Sequence, residues 1–332
     1  MTGKKVDTLA NGLHPDSWHR HEFRAMGSEM AIWLEASDSA SAATGFTQTK
    51  ELFEANEQAL SRFRPDSELS QLNARSGQWI VVSDLLWDVL AQAMEMAAIT
   101  NGRFDPTTLN PLEEYGYTVS FEQLTRIGPD SYLPHGVPYA GNWTAIKFDE
   151  ARQAVFLPGG MRVDLGGIAK GYAAQQAVDR LQALGPCLVD AGGDLAAGDA
   201  PQGYPGWPVA IAAPWMGIGN EPADLFTLWL ANMALATSGI DYRTWERNGH
   251  FAHHLIDPAT GQPAVTDGLT ATILAEDAAQ AEAWATATLI AGSVAGLDAL
   301  LDANLAGLMV MQNGHILVTP PMHQHLQMLL PA

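Results

Sequence analysis

The residues best suited to do chemistry lie in the run Val163-Asp164-Leu165-Gly166-Gly167-Ile168-Ala169-Lys170-Gly171. The pattern predicts a strand that runs into glycines and then a helix. Backbone N–H groups and the positive end of the helix dipole can then face an anion, with Lys170 beside it. No Gly precedes the Lys and no Ser or Thr follows it, so this is not a Walker loop, and the dinucleotide Gly-x-Gly-x-x-Gly spacing is also missing. Such a turn also has an ordinary reading, in which glycine only meets the needs of the backbone. Three further segments stand out. Gly102-Arg103-Phe104-Asp105-Pro106-Thr107 carries a carboxylate, but Asp-Pro-Thr is common turn chemistry. His254-Leu255-Ile256-Asp257-Pro258-Ala259-Thr260-Gly261 is another turn, led by a His at the end of an apolar strand. That His suits either a structural hydrogen bond or proton transfer. Its neighbour His253 makes a metal site only with ligands that the spacing does not supply. Glu282 and Thr286 lie four apart on a predicted helix, so a carboxylate and a hydroxyl share one face and can share a hard cation. The plain alternative is a solvated face with Thr286 bonded to its own turn. Ala191-Gly192-Gly193-Asp194 and Thr237-Ser238-Gly239 are small-residue turns where a ligand or backbone can come close.

These segments need elements to position them. Residues 1–20 are polar and aperiodic and read as a loose tail, which leaves 21–332 as one domain of two interleaved subdomains. A strand is expected at Met30–Leu34 and a long helix over Ser41–Phe63. A second helix, Leu85–Ile99, starts at Ser83 or Asp84 and stops before Asn101-Gly102. Gly116–Pro138 reads as an insertion or loop. Ala145–Phe148 and Ala154–Leu157 form a hairpin, Met161–Leu165 a strand, and Gly171–Leu184 a helix. Strands follow at Leu188-Val189, Val209–Ala212, Phe226–Leu230, Leu255-Ile256 and Leu269–Leu274, then helices at Asp277–Ile290 and Val294–Leu301. Met309–Met311 and His315–Val318 close the chain as a hairpin, with a type I′ turn expected at Asn313-Gly314. Strands and helices mix without regular alternation, so the expected class is α+β with mixed or antiparallel sheets.

Composition bounds the partners. With 17 Lys and Arg against 37 Asp and Glu, the net charge of -20 disfavours nucleic acid and anionic lipid. The single cysteine, Cys187, cannot form an internal disulfide or a zinc cluster and reads as a buried structural thiol. No run of about 18 apolar residues is present, so no membrane insertion is expected. The N-terminus shows neither a signal peptide nor a lipid-bearing Cys, and the expected location is cytoplasmic.

In order and spacing, these segments resemble the FAD:protein FMN transferase family, ApbE-like proteins once described as thiamine-biosynthesis lipoproteins. The resemblance starts at Met26-Gly27-Ser28 and includes Leu60–Ser70, Gly102–Thr107, Asp164–Gly171 and Ala191–Asp194. Thr237–Gly239, His254–Gly261 and the Ala281–Thr286 helix complete it, so it spans about residues 23 to 319. It implies an architecture of tandem T-fold-like units with FAD in a cleft between two halves. It also implies Mg²⁺-dependent transfer of FMN from FAD to a threonine of an acceptor flavoprotein, with release of AMP. By position, Met26, Phe63, Arg103, Phe104, Asp105, Asp164, Lys170 and Ile256 are implied to line the FAD site. Gly167, through its carbonyl, Glu282 and Thr286 are implied to hold the metal, with Glu282 standing where the family usually has Asp. Lys170 suits charge neutralisation on the transferred phosphoryl group, and His254 suits deprotonation of the attacking hydroxyl or orientation of the phosphate. An FAD pyrophosphatase and an FAD-binding protein without turnover are the alternatives.

Overall fold

A computed structural model describes residues 17–121, 123–124, 141–216, 222–247 and 250–326. The chain opens on a hairpin of β1 (Trp18–Ala25) and β2 (Ser28–Glu35). Its two-residue turn, Met26-Gly27, has φ of 48° and 70°, the left-handed pair that matches strand twist. The Met26 N–H donates to Glu57 Oε2 at 2.6 Å, which helps hold a non-glycine residue in that conformation. β1 thus begins inside the stretch expected as tail. Its polar alternation, His19 to Arg24, hid a strand that pairs through only one edge.

Helix α1 (Ser39–Leu60) is capped by Asp38 and α2 (Glu68–Ala74) by Ser67. Then come β3 (Trp79–Val81), α3 (Asp84–Ile99) capped by Ser83, a 3₁₀ turn at Pro106–Thr108, and α4 (Leu109–Glu114). The hairpin β4 (Lys147–Asp149) and β5 (Ala154–Phe156) precedes α5 (Ala169–Leu181). Strands β6 (Cys187–Ala191), β7 (Leu195–Ala197), β8 (Trp207–Met216), β9 (Pro222–Leu230) and β10 (Met233–Gly239) follow. Short pairs β11 (Thr244–Arg247) with β12 (His250–His253), and β13 (Ile256–Asp257) with β14 (Gln262–Pro263), lead to β15 (Gly268–Ala275). Helix α6 (Ala278–Asp302), β16 (Ala306–Met311), β17 (Ile316–Val318) and α7 (Pro320–His323) end the described chain.

Eight strands form one antiparallel sheet in the order β1-β2-β6-β7-β10-β15-β16-β17. Alternate side chains serve its two faces. Ile32, Leu34, Val189 and Ala236 pack against Phe53 of α1, Ala173 and Ala177 of α5, and Ala281 of α6. Ala31, Trp33, Leu188 and Leu235 face the β8–β9 ribbon through Trp207, Val209 and Leu230. A second core joins α2, α3 and the small β3-β5-β4 sheet to residues 163–169 and to Ala279, Ala283 and Ala287 of α6. Helix α6 therefore belongs to both cores. A Cβ on Gly171 would strike the Ala278 backbone, so glycine there lets the start of α5 touch the start of α6. The architecture is α+β with antiparallel sheets.

Helix α6 breaks at Gly292 (φ 77°, ψ 178°), between the two helices read from the sequence. Asp267 caps the second half, accepting from Ser293 N at 2.8 Å and Ser293 Oγ at 2.6 Å. By length and composition α6 could cross a membrane, yet it packs on β10 and β15.

Two local expectations are corrected. Met161–Leu165 is not a strand: Asn73 replaces a strand partner, donating to Val163 O at 2.9 Å and accepting from Val163 N at 2.8 Å. The last hairpin has no type I′ turn. Gly314 alone is left-handed (φ 84°) and Met311 N bonds His315 O, which leaves a three-residue loop ending on that glycine. Of the Gly116–Pro138 loop, residue 122 and everything from 125 lie outside the described residues, as do residues 1–16 of the tail.

Asn73→Ala strands two buried backbone groups of Val163, next to Asp164. Each costs about 1–3 kcal/mol when left unsatisfied, so stability should fall by about 2–6 kcal/mol. Urea unfolding of parent and variant checks this, and an unchanged midpoint counts against the side-chain pairing.

Candidate active site

The Gly166-Gly167 turn delivers Lys170 and the first turn of α5 to the start of α6. Glu282, on α6 and only 4% exposed, accepts from the Gly171 N–H at 2.9 Å and from Lys170 Nζ. Lys170 Nζ also donates to Asp194 Oδ2 at 2.5 Å. The helix N-terminus that could face a free anion is thus met by the chain's own carboxylate. Burial works against the Lys170 charge, but Asp194 and Glu282 more than offset it and hold the ammonium above its ordinary pKa. Burial pushes the Glu282 carboxyl up, opposed by Lys170 and the Gly171 N–H. One ammonium between two buried carboxylates leaves this corner one negative charge in excess.

One helical turn further along α6, Thr286 Oγ1 lies 3.8 Å from where a Gly167 side chain would start. The same hydroxyl is 3.0 Å from Ser238 Oγ, and Thr237 Oγ1 is 2.9 Å from Thr272 Oγ1. The Phe104 ring, 3.2 Å from the same Gly167 position, closes the other side, so any larger residue at 167 would collide with it. Gly167, Thr286 and Glu282 thus bring a carbonyl, a hydroxyl and a carboxylate to one short stretch. All are hard oxygen donors suited to Mg²⁺. Among the described residues no cluster of three His, Cys, Asp or Glu could hold a metal.

A second wall forms around Arg62, whose side chain is 4% exposed. Its Nε lies 3.6 Å from Asp164 Oδ1 and its Nη1 donates to Tyr117 O at 2.9 Å. The guanidinium carbon sits 4.0 Å from the Phe63 ring centroid and 4.7 Å from that of Tyr117. Asp164 Oδ1 also accepts from Gly166 N at 3.1 Å, which ties this wall to the Gly-rich turn. Ile256 is buried against Tyr117 and Leu112, and Met26 packs against both large cores from its hairpin tip.

Arg103 and Asp105 stand apart from these contacts. The buried Asp105 accepts from Thr107 N and Thr107 Oγ1, both at 2.7 Å, and burial raises its pKa against those bonds. It also accepts from the Trp143 backbone, so its bonds join its own turn to residue 143. Arg103 lines a groove of about 440 Å³ with Trp284 and Asp298. Trp284 lies on the face of α6 opposite Glu282 and Thr286.

The His254 ring is half-buried, with Nδ1 enclosed and unpartnered among the described residues, while the ring hydrogen-bonds the Arg243 backbone. Burial, then the charges of Arg243 and His253, lower its pKa well below the usual value. Lys170 acts on it in the same sense, so His254 belongs to the same electrostatic neighbourhood. His254 is therefore a neutral base at pH 7. A His whose native pKa is depressed keeps its full stability above about pH 6.5. That stability declines as pH falls toward the native value, because only the unfolded chain takes up the proton. Activity that depends on neutral His254 should show no acid limb near pH 6.5, and the limb should lie well below. A pH–rate profile of the parent and His254→Asn reads this directly. A parent limb near 6.5 that is lost in the variant contradicts it.

Four contributors were not singled out from sequence. Arg62, Asp194 and Ser238 lay in recognised segments, but their partners are 102, 24 and 48 positions away. Arg243 has no motif, and only its field at Lys170, His254 and Tyr117 marks it.

The fold and site define an α+β protein that brings a buried Lys170–Asp194–Glu282 cluster, hard oxygen donors and an aromatic wall together. The chain belongs to the ApbE family, whose model matches residues 26–309. Among curated proteins it is 33% identical over 265 residues to the FAD:protein FMN transferase of Treponema pallidum, covering 73% of this chain and 69% of that protein. It is 28% identical over 309 residues to the enzyme of that name from Salmonella typhimurium, covering 88% and 84%. The crystal structure of the ApbE protein from Thermotoga maritima superposes with a TM-score of 0.83 at 26% identity, over 94% of this chain and 100% of that one.

Proposed function

We propose that the chain is a Mg²⁺-dependent FAD:protein FMN transferase that joins FMN to a threonine of an acceptor protein and releases AMP. The observation that carries this reading is the meeting of Lys170, Glu282, Gly167 and Thr286 where α5 and α6 touch, beside the Asp164 wall. Diphosphate cleavage needs positioned positive charge around the transferred phosphoryl group. Gly167 O, Thr286 Oγ1 and the Glu282 carboxylate would hold Mg²⁺, which when bound neutralises charge on the phosphate oxygens. Lys170 and Arg243 add cationic field on the same side. Phe63 and Tyr117 offer ring faces to the flavin or adenine, and Asp164 offers an acceptor to a ring N–H. The acceptor threonine oxygen attacks the FMN-side phosphorus, and the bond from that phosphorus to the AMP phosphate oxygen breaks. His254 Nδ1, neutral and unpartnered, takes the hydroxyl proton.

Purified protein with FAD, Mg²⁺ and a candidate flavoprotein acceptor should release one AMP per covalent flavin. AMP without acceptor would instead indicate a pyrophosphatase. Tight FAD binding with no AMP under any condition would indicate a binding protein.

A further inference from the structure

Among the described residues, Arg62 Nη2 is buried with no hydrogen-bond partner. Leaving a donor of a charged group unpaired inside a protein costs more than leaving a neutral one, and every other part of this side chain is used. Nε faces Asp164, Nη1 donates to Tyr117 O, and the guanidinium plane lies against two rings. Asp164 Oδ1 is taken by Gly166 N, whereas no donor reaches Oδ2 among the described residues. A free donor and a free acceptor therefore sit on neighbouring side chains 3.6 Å apart at their closest. Phe63, 42% exposed, lies against the guanidinium, with its ring centroid 4.0 Å from the Arg62 guanidinium carbon.

We propose that Arg62 is a positioning residue for FAD: it braces Phe63, Tyr117 and Asp164, and its Nη2 donates to a ring acceptor whose neighbouring N–H is accepted by Asp164 Oδ2. This rests on the FAD reading above. Two ring edges of FAD carry an acceptor beside a donor, the imide edge of the flavin and the amidine edge of adenine. A planar fork fixed by aromatic faces suits such an edge better than a flexible ammonium does. The role is one of binding and orientation, because the phosphoryl chemistry is assigned to Lys170 and α6.

The test titrates FAD into the full-length parent, Arg62→Gln, Arg62→Lys and Asp164→Ala, reading flavin fluorescence and the visible circular dichroism of the bound flavin. FMN and AMP are titrated separately, and thermal midpoints are recorded. A hydrogen bond to a charged group is worth about 1.5–3 kcal/mol, so Arg62→Gln should weaken FAD binding by about ten- to a hundredfold. Its kcat at saturating FAD should stay within about twofold, and its flavin dichroism should change. Arg62→Lys should recover only part of the loss and keeps the test decisive if the Gln variant fails to fold. A loss confined to FMN places the flavin at this edge, and one confined to AMP places adenine there. Equal FAD affinity and dichroism in parent and Arg62 variants overturns the proposal while the FAD reading stands. So does a fall in kcat with unchanged KM. A parent that binds no FAD overturns both.

Discussion

Glu282→Gln should lose about 10²- to 10³-fold in AMP release while the protein remains folded. Both Glu282 oxygens accept, one from Lys170 Nζ and one from the Gly171 N–H. An amide has one acceptor and one donor, so it must turn its NH₂ toward one of two groups that are themselves donors. The expected loss corresponds to about 3–4 kcal/mol of transition-state stabilisation, each 1.4 kcal/mol being tenfold in rate. The proposed Mg²⁺ site loses its only carboxylate at the same time. Glu282→Asp keeps the charge on a stem shorter by one methylene, about 1 Å or more of reach. It should retain measurable activity at raised Mg²⁺, since the charge that holds the cation is kept. Turnover against Mg²⁺ concentration, together with the rise in thermal midpoint on adding Mg²⁺, separates the three proteins. Glu282→Gln that matches the parent in both readouts removes Glu282 from the site.

Lys170→Ala should cost about 3–5 kcal/mol of stability and nearly all turnover. Without the ammonium, Asp194 and Glu282 are two buried carboxylates with no counter-charge between them. One of them must take up a proton, so the variant should regain more stability than the parent as pH is lowered toward 5, because in the parent Lys170 opposes the upward push of burial on Glu282. The sign follows from linkage: a carboxyl whose native pKa is raised binds more protons folded than unfolded, and stability then falls as pH rises. Urea midpoints at pH 5 and pH 8 read this directly. A variant equally stable at both pH values shows that the carboxylates are not buried around the lysine.

Much of the scaffold could be read from local chemistry. Ser83 and Asp277 announced the starts of α3 and α6 because each caps its helix through its own side chain. The break between the two halves of α6 was visible as well, since glycine alone tolerates φ 77° at 292. Met161–Leu165 misled because its apolar pattern is that of a strand. Its hydrogen bonds go to a side chain 90 residues earlier, and periodicity carries no trace of that. At the site, the spacing of Glu282 and Thr286 placed two oxygens on one face of α6, facing the Gly-rich turn. What it did not reveal is that Glu282 ends on the N-terminus of α5, or that Asp194 completes a three-residue charge cluster. Those pairings span 111 and 24 residues and are set by how α5, α6 and β6 pack, not by any local motif. Arg62 was hidden for a related reason: a single arginine in a polar segment reads as a surface charge until burial shows otherwise.

The most direct test of the central claim is the fate of the flavin on a denatured acceptor protein. With FAD, Mg²⁺ and this chain, mass spectrometry of the unfolded acceptor should show one added FMN in phosphoester linkage to a threonine. The addition should vanish when that threonine is replaced by valine. An acceptor that leaves denaturation at its original mass, with all flavin recovered free as FAD or FMN, contradicts the account.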